Sequence, residues 1–231
     1  MAILTTSGRA ALAAAIKQQT MHLALGRGDA LWDTQQSVSG SFDQDGVLET
    51  GFTHITEVVV SAEADAGTIY TLGQDYTVNA QEGRINRTLS SSIAQDEVLT
   101  VTFTAEHPPE PIERTALLDE VGRRVVDEVH FVREHPEGEI SVPTGRYRVC
   151  EQPSNHLFVR VRFDFEDAAN AVVREQGLFV GSVTDPELPL GQKFFTPSEV
   201  QEPGILLVLQ NSVPIVRQPS TRETFEFVVT F

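Results

Sequence analysis

Residues 156–167, HLFVRVRFDFED, alternate so strictly that an extended chain is the one conformation that suits them. Leu157, Val159, Val161, Phe163 and Phe165 fall on one face, and Phe158, Arg160, Arg162 and Asp164 fall on the other. A period of two belongs to a β-strand, whereas a helix would scatter the same side chains around its circumference. One face of this strand is expected to be dry and the other wet, which requires a sheet packed on a second layer. The same texture recurs through the second half of the chain, in VVDEVHFVRE, EISV, GRYRVCEQ, EQGLFVGS, GILLVLQN and FEFVVTF. In the last of these, Phe225, Phe227, Val229 and Phe231 oppose Glu226, Val228 and Thr230, so that strand is expected to be tied into a sheet.

A second group of short β-branched or aromatic runs occupies residues 52–105: EVVVSA, TIYTL, DYTVNA, RINRT and EVLTVTFTA. Turn signals at AEADAG, LGQD, AQEG and SSSIAQD separate them, which suggests a small antiparallel sandwich. The stretch HPPEP, residues 107–111, closes this module as a stiff linker. Residues 34–51 are polar and turn-rich and look like a linker, of which 43–51 is assigned as the joint between the main domain and the module. Two short helices complete the reading. The first spans 7–20, capped by Ser7, with Leu12 and Ile16 on one face among alanines, and ends near Met21–Gly26 in a loop, GRGDALWD. The second spans 113–123, with Leu117, Leu118 and Val121 as its apolar stripe. The fold class is thus mainly β (α+β): a sandwich-like main domain, 1–42 plus 106–231, interrupted by the 52–105 module.

Charge narrows the function classes. The chain holds 33 Asp and Glu against 17 Lys and Arg, a formal net charge of −16, which leaves little material for the basic face that nucleic acid requires. Lysine is rare (Lys17 and Lys193), and arginine suits directed pairing with carboxylates. No apolar run approaches the roughly 20 residues of a membrane-spanning helix. The start, MAILTTSGRAALAAAI, lacks a basic n-region and does not read as a signal peptide. One cysteine, Cys150, fits folding in a reducing cytoplasm.

No chemistry stands out above composition. One cysteine and six scattered histidines give no zinc signature, and His130 and His135, five apart, need not converge on one strand. Gly26-Arg27-Gly28 follows a helix where a dinucleotide loop must follow a strand, and no G-x-S-x-G elbow exists. Asp43, Asp45 and Gly46 echo a calcium loop without its remaining ligands. Arg27-Gly28-Asp29 is an RGD tripeptide of the frequency chance allows. Acidic pairs such as Asp164 with Glu166 and Asp167, or Glu199 with Glu202, are expected in so acidic a chain. No catalytic, metal or cofactor residue is assigned, no cofactor is expected, and the chain is read as a non-enzyme.

The candidate residues are those of interfaces. Leu12 and Ile16 dock either on the sheet or on a neighbouring subunit, and Trp32 anchors either the core or an interface. Phe194 and Phe195, in LPLGQKFF, form either an exposed apolar anchor or a plug folded under its loop. Arg217 and Arg222, in QNSVPIVRQPSTRE, either meet a neighbour's acidic face or sit in an ordinary connection between strands.

The opening TTSGRAALAAAIKQQTMHLALGRGDALWD and the closing FDFEDA, GLFVG, GQKFFTPSE and TRETFEFVVTF resemble virion structural proteins of tailed bacteriophages and prophages. YTLGQDYTVNAQEGRI followed by VLTVTFTA resembles the small β-sandwich modules of phage tail and baseplate proteins. Together these segments cover about half of the chain. The resemblance carries no catalytic residue. It implies a subunit of the tail, baseplate or fibre-attachment region that holds other virion proteins together, in a symmetric oligomer with the insert facing outward. Its partners would be copies of itself and other tail or baseplate proteins, with neither nucleic acid nor membrane, and its place the virion, after assembly in the host cytoplasm. A carbohydrate-binding or adhesin module is the alternative, and a cell-wall hydrolase a more distant one.

Overall fold

The dry face of residues 156–163 is where alternation puts it: Leu157, Val159, Val161 and Phe163 are at most 1% exposed. The computed structural model describes residues 2–231 and separates them into two compact units. The smaller comprises Asp29–Pro109, and the larger is made of the chain on either side of it, 2–28 and 110–231. The described residues are 46% strand and 7% helix, a mainly β fold.

The chain begins in the larger unit with α1 (Thr6–Lys17) and β1 (Met21–Gly26). In the smaller unit follow β2 (Thr34–Gly40), β3 (Val47–Glu49), β4 (Ile55–Ala62), β5 (Tyr76–Asn79), β6 (Arg84–Arg87) and β7 (Leu99–Ala105). Back in the larger unit come β8 (Glu120–Val125), β9 (Glu128–Glu134), β10 (Ile140–Val142), β11 (Gly145–Val149), β12 (His156–Phe163) and β13 (Val172–Val180). The last are β14 (Val183–Thr184), β15 (Phe194–Phe195), β16 (Val200–Glu202), β17 (Ile205–Val216) and β18 (Glu223–Thr230).

Two five-stranded antiparallel sheets, ordered β15-β8-β1-β13-β17 and β10-β11-β9-β12-β18, build the larger unit. Leu23, Leu25 and Leu178 of the first meet Leu157, Val159, Val161 and Phe163 of the second in one core. Strand β1 lies in the middle of its sheet, and all six of its residues are buried. Met21–Gly26 is therefore no frayed helix end leading into a loop, as the sequence suggested. A strand covered on both faces loses its alternation and reads as a continuous apolar run, which periodicity cannot distinguish from helix. Helix α1 itself starts one step earlier than expected, with Thr5 as N-cap: its Oγ1 accepts the Gly8 N–H at 3.2 Å.

The helix expected over 113–123 does not form, and α1 is the one α-helix among the described residues. Pro111–Leu118 runs through turns, and Glu120–Val125 is strand β8, paired with β1 on one side and β15 on the other. Long-range packing decides this. Leu117 closes a small cluster with Ala24 and Phe179, and a Cβ on Gly122 would stand 2.4 Å from the Phe194 ring. Phe165 is a second departure. Strand β12 stops at Phe163 because the Asp167 carboxylate takes the Asp164 N–H at 2.7 Å and turns the chain. Phe165 then lies half-exposed under the Arg222 guanidinium, 4.6 Å from its centroid.

Two three-stranded sheets, β2-β7-β4 and β3-β6-β5, enclose the core of the smaller unit, which includes Phe42, Ile55, Val60, Tyr76, Ile85, Val101 and Phe103. Its strands begin earlier than the β texture of the sequence suggested. The stretch 34–51, read as linker, holds β2 and β3, and β2 pairs with β7 along its whole length, from Thr34↔Ala105 to Gly40↔Leu99. As an edge strand β2 buries little beyond Val38, so TQQSVSG can stay polar and still be a strand. Gly83 is fixed by a close approach: at φ +66 its Cβ would fall 1.7 Å from the Phe52 carbonyl oxygen.

Candidate assembly surfaces

Helix α1 is apolar on both sides. Toward the sandwich it presents Ala13, which is fully buried, with Ala14 and Ile16 against the same core. Toward solvent it presents Ala11, Leu12 and Ala15, and Leu12 is 46% exposed. Leu12 and Ile16 thus divide between the two readings, with Ile16 on the sandwich and Leu12 facing outward. Trp32 is half-buried in the smaller unit.

Phe194 and Phe195 fold under their loop. As strand β15 they pair with Arg124 and Arg123 of β8. Phe194 packs edge-on against Phe163 at 6.3 Å, and Phe195, buried, lies edge-on to His22 at 5.6 Å. Arg217 is also inside, 1% exposed, where its guanidinium donates to the carbonyl oxygen of Asp164 at 2.9 Å and pairs with Glu223 at 3.0 Å. It offers nothing to a neighbour's acidic face. Arg222 is on the surface, but its Nε already donates to Asp164 Oδ1 at 2.5 Å.

The acidic pairs act within the fold in the same way. Arg124 bonds Asp167 and lies 3.4 Å from Asp164, and the Arg222 hydrogen bond, ahead of any other cause, holds the Asp164 carboxyl below its usual range. Both carboxylates are thus engaged by arginines within the fold. Arg27 of the RGD tripeptide makes a two-pronged contact with Asp119 at 3.1 Å, while Asp29 Oδ1 accepts the Leu31 N–H at 2.9 Å. Asp43 Oδ1 accepts the N–H groups of Asp45 and Val47, an ordinary turn. His135 Nδ1 accepts the Glu137 N–H, and no group of three metal-ligating side chains occurs among the described residues. No helix among them is long and apolar enough to cross a membrane.

A family model described as baseplate wedge 3 tail fiber network component matches residues 1–88 and 99–231, running through both units. The chain belongs to this family. It is a structural component of the bacteriophage baseplate, and its place is the virion. No curated protein matches it.

One cluster of this baseplate protein left no trace in sequence patterning. On the outer face of the first sheet, the buried Arg123 donates to Ser182 Oγ, to the Pro203 carbonyl oxygen and to Glu120, and its guanidinium lies 4.1 Å from the Phe179 centroid. Beside it, burial first and the Arg123 charge second push His22 down to about 4. On the same face Glu175, fully buried, accepts the Leu118 N–H at 2.8 Å and pairs with Arg114 at 3.4 Å. These groups bind the loops 110–119 and 181–204 onto the sheet. The only signal was the interruption of an apolar run by single polar residues, which alternation with solvent explains equally well.

Proposed function

We propose that this baseplate component is a passive connector, a subunit that associates with copies of itself and with other tail proteins after folding in the host cytoplasm, and that performs no catalytic step. The carrying observation is α1: a helix already anchored through Ala13 and Ile16 that still presents Leu12, Ala11 and Ala15 to solvent. A surface helix of an isolated protein normally has one apolar stripe and one charged face. An outer face on which Arg9 is the one charged side chain beside Ala11, Leu12 and Ala15 fits a helix destined for burial against a partner. Arg222, Trp32 and the exposed β17 residues Ile205 and Val213 are further surface on which tail-fibre proteins would find purchase.

Complete removal of α1 would strip Ala13 and Ile16 from the core, so point changes on the outer face are the cleaner probe. Leu12→Asp is expected to leave the circular dichroism melt unchanged and to remove the subunit from assembled baseplates isolated after complementation. Normal incorporation of a folded Leu12→Asp chain would refute α1 as a docking element.

A further inference from the structure

A groove of about 720 Å³ runs along the flank of α1, lined by Ala10, Ala11 and Ala14 of the helix and by Arg133, Glu134 and His156 of the sheet. Its surroundings are unusual for this chain. Residues 2–28 contain no Asp or Glu, although they hold Arg9, Lys17 and Arg27. Arg133 of β9 and Arg148 of β11 are register partners and share one sheet face, which Arg146, two residues away, joins. It is the face of Phe131, over whose ring the Lys17 Nζ lies at 4.5 Å. Arg148 reaches Glu139 at 3.8 Å. Arg9, Arg133 and Arg146 are exposed, and no partner of their side chains occurs among the described residues. A shallow, largely apolar groove in an acidic protein thus has the unpaired Arg133 beside Glu134 in its lining, with the exposed Arg9 and Arg146 on α1 and on β11, the strand next to β9.

The smaller unit has the opposite balance. Asp29–Pro109 holds 13 Asp and Glu against two Arg, a net −11 of the chain's −16. Both arginines are engaged inside it, Arg84 with Glu49 and Glu82, and Arg87 with the Ile93 carbonyl oxygen at 2.7 Å. Most of its carboxylates face solvent, Glu63, Asp65 and Asp96 among them. It also exposes Leu72 and Leu89. The loops that carry these two are held together by Asp75, whose carboxylate accepts the N–H groups of Thr71 and Ser92, both at 2.9 Å. The Asp75 carbonyl oxygen accepts the Thr88 N–H as well, at 3.1 Å. Apolar tips on a stiff, acidic support complement a largely apolar groove with exposed arginines in and beside it.

We propose that the α1 groove receives the acidic smaller unit of a second copy of this chain, with Leu72 and Leu89 against Ala11 and Leu12 and carboxylates toward Arg9, Arg133 and Arg146. This names the partner of the α1 surface and rests on the connector reading above. The two patches differ, so the contact is head-to-tail, and it propagates around a ring or along a filament. Its charges lie at the border, where they govern capture and salt dependence more than buried affinity.

Two lysines make the test selective. Full-length chain, half of it ¹⁵N-labelled, is treated with a carbodiimide at low salt, and the amide cross-links are read by mass spectrometry. A mixed-isotope link from Lys17 to a carboxylate within 29–109 is expected. Sedimentation should show self-association that weakens on the order of tenfold between about 50 and about 500 mM salt, and by a similar factor in Arg133→Glu. A chain that stays monomeric at low salt, or one whose mixed-isotope links all lie within 110–231, overturns the proposal. If the chain is monomeric while Leu12→Asp still abolishes incorporation into baseplates, the second-copy partner falls and the connector reading stands. Normal incorporation of Leu12→Asp sinks the connector reading, whatever the cross-links show.

Discussion

His22 should make the stability of the larger unit depend on pH in a window where carboxylates do not. Its side chain is 2% exposed and its Nδ1 has no hydrogen-bond partner among the described residues. Burial, with Arg123 adding to it, lowers its pKa from 6.5 to about 4. Between those values the unfolded chain holds a proton on His22 and the folded chain does not. The contribution is therefore complete above pH 6.5 and is lost as the pH falls toward 4. At 1.36 kcal/mol per pKa unit, the whole window is worth roughly 3 kcal/mol, of which about 2 kcal/mol is gone by pH 5. Asp164 and Asp75, and Glu139 and Glu199, are held below ordinary values of 3.8 and 4.5 by hydrogen bonds to Arg222, to Ser92 and to backbone N–H groups. Their contributions persist above those values and disappear only in stronger acid. Urea denaturation followed by far-UV circular dichroism at pH 7, 6, 5 and 4.5 measures the difference. His22→Asn should begin less stable at pH 7 and lose much less on acidification, while the fluorescence of Trp32, in the smaller unit, serves as a control indifferent to the substitution. Parallel pH profiles for the two proteins would show that His22 titrates normally and that the reasoning from burial is wrong.

Other substitutions separate the interior from the surface. Phe163→Ala should cost about 3–5 kcal/mol in chemical denaturation, since the ring sits between Phe194 and Phe225 in the core. Arg217→Ala leaves Glu223 and two carbonyl groups without their partner and is expected to cost about 3–5 kcal/mol, whereas Arg222→Ala at the surface should cost less than about 1 kcal/mol; thermal melts of the pair test this. Gly83→Ala forces a Cβ into the Phe52 carbonyl at positive φ, so the Trp32-monitored transition should fall by about 2–4 kcal/mol.

What could be read from the sequence was whatever local periodicity controls. Residues 156–163 and 223–230 are strands as alternation indicates, and Leu157, Val159, Val161 and Phe163 meet the main core with Phe225, Phe227 and Val229; the face expected to be wet is not wholly so, because Phe158 is buried in a second apolar cluster with Val132, Tyr147 and Val228. Met21–Gly26 and Glu120–Val125 escaped because they are sandwiched between sheet neighbours and covering loops, so their residue types report burial instead of a period. β2 escaped for the opposite reason, since a polar edge strand owes its conformation to β7, some 60 residues further on. The surface readings divided along the same line. Sequence identified α1 as a helix with apolar residues to spare, which is a local property. Whether Phe194, Phe195 and Arg217 point in or out depends on partners in β8, β12 and the 164–171 turn, and no spacing rule encodes those.

The position of β1 has a consequence for synthesis. Its two neighbours are β8 and β13, and Met21 pairs with Val180. At ribosomal speeds of 5–20 residues per second, α1 and β1 wait roughly 8–30 s for the last strand that covers them. The smaller unit, by contrast, has every one of its strands by residue 105 and needs nothing translated later. It can close while the helix and strand before it still have no sheet to join. Translation thus completes the strands of the acidic unit before those on which α1 packs, since α1 must wait for β12 and its sheet neighbours. A nascent subunit would carry a finished lobe before it has a groove able to receive one, so premature pairing between incomplete chains is suppressed by the order of translation itself.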